Sequence, residues 1–521
     1  MPAVEAPQNS ISLARQVAGA SIGGQIESDK GGNFDKTQGL WVDREFATYF
    51  DQLPESERLA AEIMGDAWIG IAGAFKTQRS DANNHILWPQ EVEGIFGDVL
   101  LLEGARRNSG AEDPFSVLPR FDERAIPFSE HYANPLKRVI YALQRLAAAD
   151  ALSARASRAY FEALLEAYNN DPKNPRASDL ETFHMADLAW IDIPADILLL
   201  PIIEPTEEYY DPARLSHGKK EAVSKWATEV TNRNHLGPFR KFFEFRLLMR
   251  DESMDELVLQ SDVLAIREKS RELFAAEDDH VVPVSLEFRR LLLASGQGSN
   301  PAKSAKNYPN FEDIRQNKGY KNILYTNMIR EAAGNLIPTV LKAAFGDQIF
   351  GDIDDQQFLR GYTLRMIGHE ENHTFRRHRG NLVLEELKAT INGMAALMKT
   401  EGINQVDINA ALLSVLGVAL FERYKMRKAI TEGDENVRSA YQAYYEGGTI
   451  MMNYLRDRGV FMMEADRITG FNYSKFRAAI NALQNELEAV RADSTKGTEF
   501  QSRYGDKAVW DSFTIPNYIQ Q

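Results

Sequence analysis

The sequence predicts an α+β fold that is mostly helical, and three features carry that expectation. Long stretches space their apolar residues at three and four, the helix period. A proline-punctuated run rich in β-formers interrupts them near residue 200. Helical periodicity then returns from about 327 to 490. A chain of 521 residues is too long for one hydrophobic core, so two or more domains are expected.

The elements follow in order. "GASIGGQIESDKGGNF" at 19–34 is glycine-rich and reads as an ordered loop or a flexible arm. From about 44 to 172 the pattern is helical, most clearly in "NPLKRVIYALQRLAAADALSARASRAYFEALLEAY". "DPKNPRAS" at 171–178 breaks it. "DIPADILLLPIIEP" holds three prolines among β-formers, which suits short or edge strands. "HVVPVSLEF" at 280–288 reads as a strand, and "SGQGSNPAKSAK" at 295–306 as a polar loop. The longest apolar run, "AALLSVLGVALF" at 410–421, is too short to span a bilayer and reads as a buried core helix.

Composition narrows the function classes. Apolar residues make up 44% and charged residues 26%, an ordinary globular balance. Net charge is −15, from 60 basic and 75 acidic residues, and "RRHRG" at 376–380 is the only short basic stretch. A nucleic-acid partner is therefore not expected. The absence of cysteine excludes disulfides, thiolate metal sites and cysteine nucleophiles. No apolar h-region follows the N-terminus, so a cytoplasmic location without a membrane partner is expected. There is no lysine after "SGQGS" to make a phosphate loop, and no G-x-S-x-G elbow of a serine hydrolase.

The chemistry concentrates in "GHEENH", 368–373. Positions i and i+4 share a helix face, so His369 and His373 can present imidazole nitrogens to one metal ion. Glu370 stands about 100° round the helix from His369, placed to hold a water and take its proton. The competing reading is a solvated polar turn, which Glu371 and Asn372 would suit. Gly380 can end this helix, and "NLVLEELKATINGMAALM" then starts a second one with Leu384, Leu387, Ile391, Met394 and Met398 on one stripe. A helical hairpin would bring Glu385 or Glu386 to the metal, making the two-histidine, one-glutamate set of an open zinc site.

With "LEELKA" beside it, "HEENH" resembles the paired motifs H-E-x-x-G-H and E-E-x-x-A-E/D of the dipeptidyl peptidase III family of zinc peptidases. "NYPNFEDIRQNKGYKNILYTNM" at 307–328 and "EEYYDP" at 207–212 resemble two further family segments, and "ELEAVRADSTKGTEFQSRYGD" at 486–506 is a weaker one. The resemblance covers roughly 180–506. It implies two lobes around a cleft, one with a β-barrel-like core and one helical and zinc-binding. The lobes would be 1–227 with 290–336, and 228–289 with 337–521. It implies one Zn2+ per chain on His369, His373 and Glu386, with Glu370 as general base. Tyr209 would stabilise the oxyanion, and Glu207, Asn307 and Asn310 would grip the peptide's N-terminus. The implied activity is removal of dipeptides from peptide N-termini, with the substrate bound as an added strand. The alternative is a zinc enzyme of the same fold acting on a non-peptide substrate as hydrolase, lyase or isomerase. Either way the expected partner is a small peptide or other small molecule, and the expected state a monomer or homodimer.

The chain departs from the family pattern at specific residues. One residue fewer separates the histidines, as in some relatives. Thr390 stands where the second motif has its final acid, a histidine-supporting group, which implies a weaker hold on zinc. Tyr444 falls at the place of a histidine that helps stabilise the transition state. Basic residues that hold the far end of the peptide have no counterpart after 506. Glu371 and Asn372 occupy positions that are mostly apolar in the family.

Overall fold

In the computed structural model, residues 9–29, 31–81, 115–117, 126–171, 173, 176–207, 241–275, 283–297, 299, 304–309, 311–373, 375, 382–433, 435–464, 467–492 and 495–505 are described. The chain divides into two compact units, Met1–Asp251 with Val282–Asn327, and Glu252–Val281 with Met328–Gln521. The edges lie at 251, 281 and 327, against 227, 289 and 336 in the sequence reading. Pairing between the strands at 244–250 and 284–296 accounts for the edges at 251 and 281, because a hydrogen-bonded ladder holds both in one unit.

The first unit contains an eight-stranded mixed sheet that curls into a half-barrel. Its strands are β1 (Ile26–Asp29), β2 (Gly32–Asp35), β3 (Leu40–Asp43), β4 (Leu199–Ile203), β5 (Glu244–Arg250), β6 (Val284–Gly296), β7 (Ala305–Tyr308) and β8 (Tyr320–Tyr325). The thirteen-residue β6 is the hub. Val284–Arg289 of β6 pairs in parallel with β8, and Leu293–Ser295 pairs antiparallel with β3. On its other edge β6 pairs with β5, which in turn pairs with β4. Strand β4, "LLPII", is buried throughout and, among the described residues, pairs only with β5. That edge position is what Pro201, lacking a backbone donor, requires. Helix α1 (Glu55–Ser80) is bound to the sheet by Trp68 and to the short strand just before β5 by Gln78. Trp68 Nε1 donates to the Ala294 carbonyl at 2.8 Å, and Gln78 Nε2 donates to the Lys241 carbonyl at 3.0 Å.

The segment 19–34 is not a loop throughout, because β1 and most of β2 lie within it. One glycine, Gly31, lies in the turn between them. Gly31 has φ 82°, and a Cβ there would stand 3.1 Å from the Asn327 carbonyl oxygen. The strands escaped the sequence reading because "IESD" and "GNFD" are short and polar, with little apolar alternation. The stretch 295–306 is likewise shorter as a loop than expected, since β6 runs to Gly296 and β7 begins at Ala305.

The second unit is mainly helical. It includes α2 (Gln260–Phe274), α3 (Asp355–Asn372), α4 (Leu382–Lys399), α5 (Gln405–Glu432) and α6 (Glu435–Asp457). Helix α5 is long and apolar enough to cross a membrane by length and composition, but 72% of its apolar window is buried inside the unit. It is a core helix, as the run at 410–421 led one to expect. Helix α3 begins with a capping box in which Asp354 accepts from the Gln357 backbone at 2.8 Å and Gln357 accepts from the Asp354 backbone at 2.9 Å. Glycines let α3 sit close to its neighbours. A Cβ on Gly361 would lie 2.5 Å from that of Ala410 on α5, and one on Gly393 of α4 would lie 2.5 Å from the Gly368 carbonyl carbon.

Candidate metal centre

The close approach of α3 and α4 at Gly368 and Gly393 is what aligns the next residues. Immediately after Gly368, His369 occupies the last turn of α3. His373 is the C-cap residue, yet its φ of −68° and ψ of −19° continue the helical twist. The i,i+4 relation therefore survives the helix end, and the two Nε2 atoms stand 3.0 Å apart. From α4, Glu386 brings its Oε2 to 3.4 Å from His369 Nε2 and 3.5 Å from His373 Nε2.

These three atoms form a triangle with edges of 3.0, 3.4 and 3.5 Å. Tetrahedral bonds of about 2.0–2.1 Å give ligand-to-ligand edges of about 3.3–3.4 Å. Glu386 Oε2 is buried and has no hydrogen-bond partner. A buried carboxylate oxygen left over between two imidazole nitrogens is the donor set that a divalent ion would satisfy. Among the described residues, this is the group of histidines and acids close enough to share a metal.

The charges agree with the geometry. Burial opposes a charge on His373, but Glu386, Glu385 and Glu370 outweigh it and raise the imidazole to about 10. Burial also opposes ionisation of Glu386, and the two histidines overcome it, holding the carboxyl well below its ordinary range. Glu385 is held down at about 2 against burial, by His373 and Lys388.

The adjacent glutamates thus have different surroundings, which periodicity could not distinguish. Glu386 completes the triangle. Glu385 Oε1 instead lies 3.3 Å from His373 Nδ1, the far side of that ring. Lys388, fully buried, donates to Glu385 Oε1 at 2.8 Å and to the Phe375 carbonyl at 2.8 Å. Thr390 Oγ1 lies 3.0 Å from His369 Nδ1, so a neutral hydroxyl faces the far side of that ring. The sequence reading passed over Lys388. Its signal was a lysine four residues after Leu384 and three before Ile391, on the apolar stripe of α4.

Glu371 and Asn372 are not a solvated turn. They are 1% and 0% exposed and tie α3 to α2. Arg267 grips Glu371 with two hydrogen bonds of 2.7 and 2.8 Å, and Asn372 donates to Ser270 Oγ at 3.0 Å. A polar pair therefore joins these two helices.

The remaining candidates are placed as follows. Glu370 is half-buried on α3 between the two histidines in sequence. Tyr444 is half-buried on α6, one turn before Gly447. A Cβ on Gly447 would meet the Val383 carbonyl of α4 at 3.4 Å, so Tyr444 belongs to a helix packed on the Glu386 helix. Glu207 and Asn307 belong to the first unit. Glu207 lies in a two-residue strand paired with Lys241–Phe242. Asn307 is on β7 opposite Asn322 of β8, and its Oδ1 is buried without a partner. Tyr209 and Asn310 lie outside the described residues.

No protein-family model matches the chain. In sequence it is 21% identical over 395 residues to Nudix hydrolase 3 of Arabidopsis thaliana. That alignment covers 72% of this chain and 44% of the relative, so the chain spans under half of that protein's length. In structure it is similar to dipeptidyl peptidase III from Caldithrix abyssi, with a TM-score of 0.63 and 16% identity over 90% of this chain and 93% of that one. It is also similar to dipeptidyl-peptidase III from Corallococcus sp. strain EGB, with a TM-score of 0.61 and 18% identity over 89% and 90% of the two chains. At these identities the likeness establishes a shared fold.

Proposed function

We propose that the chain is a zinc-dependent metallopeptidase of dipeptidyl-peptidase type. The observation that carries this reading is the orphaned Glu386 Oε2 facing two histidine nitrogens at 3.4 and 3.5 Å. The fold shared with proteins named dipeptidyl peptidase III supports it.

His369, His373 and Glu386 would hold the ion. When bound, zinc polarises a carbonyl and makes a water more acidic. The chain's own residues do the rest. Thr390 and Glu385 each face an Nδ1, at 3.0 and 3.3 Å, which turns both Nε2 atoms toward one point. Lys388 holds Glu385 in place. Glu370 takes a proton from the attacking water and returns it to the leaving amine. Its own charge faces His373, which is among the reasons that histidine's pKa is raised.

The test has two readouts. Purified protein is expected to retain one zinc per chain, read by elemental analysis and by an anomalous signal at the zinc edge. Metal-loaded protein is expected to release dipeptides from dipeptidyl-naphthylamides in a chelator-sensitive way. Glu370→Gln should keep the metal and lower the rate by roughly 100- to 10,000-fold. Metal-loaded protein that releases nothing would overturn the peptidase assignment, and protein that takes up no zinc would overturn the metal site.

A further inference from the structure

Helix α3 carries one more charged residue on the stripe that holds the histidines. Arg365 stands four residues before His369, as His369 stands four before His373. Each step is one turn, about 6 Å along the axis, so the guanidinium-bearing residue is one turn from the ligand set. Arg365 is 8% exposed. Its Nε is buried with no acceptor, and no ion pair joins it to any described residue. Its guanidinium carbon lies 4.9 Å from the centre of the Tyr362 ring.

Three other deeply buried arginines are treated differently. Arg246 and Arg289 are 1% and 0% exposed, and hold Glu244 and Glu287 at 2.6 and 2.7 Å. Arg290 is 5% exposed and holds Asp43 at 2.5 Å. Burying a cation without an anion is strongly unfavourable, and an aromatic face offsets only part of that. An arginine fork without a carboxylate is shaped to receive one.

We propose that Arg365 binds a carboxylate of the substrate and so sets its class. Resting on the metal-site reading, the substrate is one whose carboxylate lies about one residue from the group held at His369, His373 and Glu386. Two sources share that chemistry: an acidic side chain beside the scissile bond, or the C-terminal carboxylate of a short peptide.

The decisive measurement is calorimetric binding to zinc-loaded protein of succinic acid monohydroxamate and of its carboxamide counterpart. The hydroxamate anchors both on the metal, and only the first presents a carboxylate. The acid is expected to bind at least ten-fold more tightly than the amide. Arg365→Gln should bring that ratio near one, and Arg365→Lys should leave it in between, since lysine keeps the charge but not the fork. Zinc content and melting temperature of each variant confirm that it is folded. Equal binding of acid and amide by the unaltered protein, or a preference that survives Arg365→Gln, would overturn the proposal.

Failure of the metal reading shows differently, as neither hydroxamate binding and no zinc retained. Titration of metal-free protein with succinate then decides the arginine alone: binding lost in Arg365→Gln supports it, and no binding overturns it. The source is read from hydrolysis of two pairs. A preference for Ala-Glu-naphthylamide over Ala-Gln-naphthylamide assigns the side chain, and a preference for trialanine over its C-terminal amide assigns the terminus.

Discussion

In the first unit, Glu244 is 1% exposed and accepts from Arg246 at 2.6 Å, Lys306 at 2.7 Å and the Tyr308 hydroxyl at 3.2 Å. In the second unit the Glu386 side chain is 12% exposed, yet its Oε2 is buried and meets only histidine nitrogens at 3.4 and 3.5 Å. Arg365 on α3 has no carboxylate at all among the described residues. The same chemistry is thus closed in one place and left open in the other. Closed ion networks satisfy each group within the fold and hold strands in register. Open ones keep a binding capacity that a ligand must complete, and the fold bears the instability until it does.

The contrast can be broken by mutation, from large effects to small. Glu386→Gln removes one of the three proposed ligands, so zinc is expected to be lost on dialysis and hydrolysis with it, measured by elemental analysis and rate. Next comes stability. Glu244→Gln strands Arg246 and Lys306 inside the first unit and should cost about 3–5 kcal/mol, seen as a lower urea midpoint. Arg365→Met removes a charge that has no partner, and should be neutral or stabilising by roughly 0–2 kcal/mol. If both variants were destabilised alike, Arg365 would belong to a closed network after all.

A smaller effect is expected one layer out from the metal. Lys388→Met frees Glu385 and should weaken zinc binding by about 10- to 100-fold, measured by chelator competition. Thr390→Val removes a neutral contact, and the loss should be nearer the lower end, about 10-fold.

Acidity sharpens the comparison further. His373 is raised to about 10 in metal-free protein, so its contribution to stability is complete below its ordinary 6.5 and fades as pH rises toward 10. Glu244 is lowered from its ordinary 4.5, so its contribution is present above 4.5 and lost as pH falls. At neutral pH, zinc must displace the His373 proton. Calorimetry in buffers of different ionisation enthalpy should therefore show proton release on zinc uptake. No release would contradict the open arrangement of the site.

Several parts of this architecture were legible in the residues. The buried helix around 410–421, the edge strand at Pro201 and the β6 strand follow from periodicity and proline chemistry, which are local. The pairing of His369 with His373 follows from helix geometry. The β1–β2 hairpin did not show, because Glu27 and Ser28 of β1 are exposed and β2 draws its burial from the rest of the sheet and not from its own apolar content.

By itself the sequence determined which side chains could share a helix face: His369 with His373, and Arg365 one turn before them. That relation depends only on the spacing along one helix. Tertiary structure alone decided which partners those faces meet. It set Glu386 against both histidines and Glu385 behind one of them, brought Arg267 to Glu371, and left Arg365 without an acid. The physical reason is the crossing of α3 and α4 at Gly368 and Gly393, where only the lack of a Cβ lets two backbones come close enough for short polar side chains to meet.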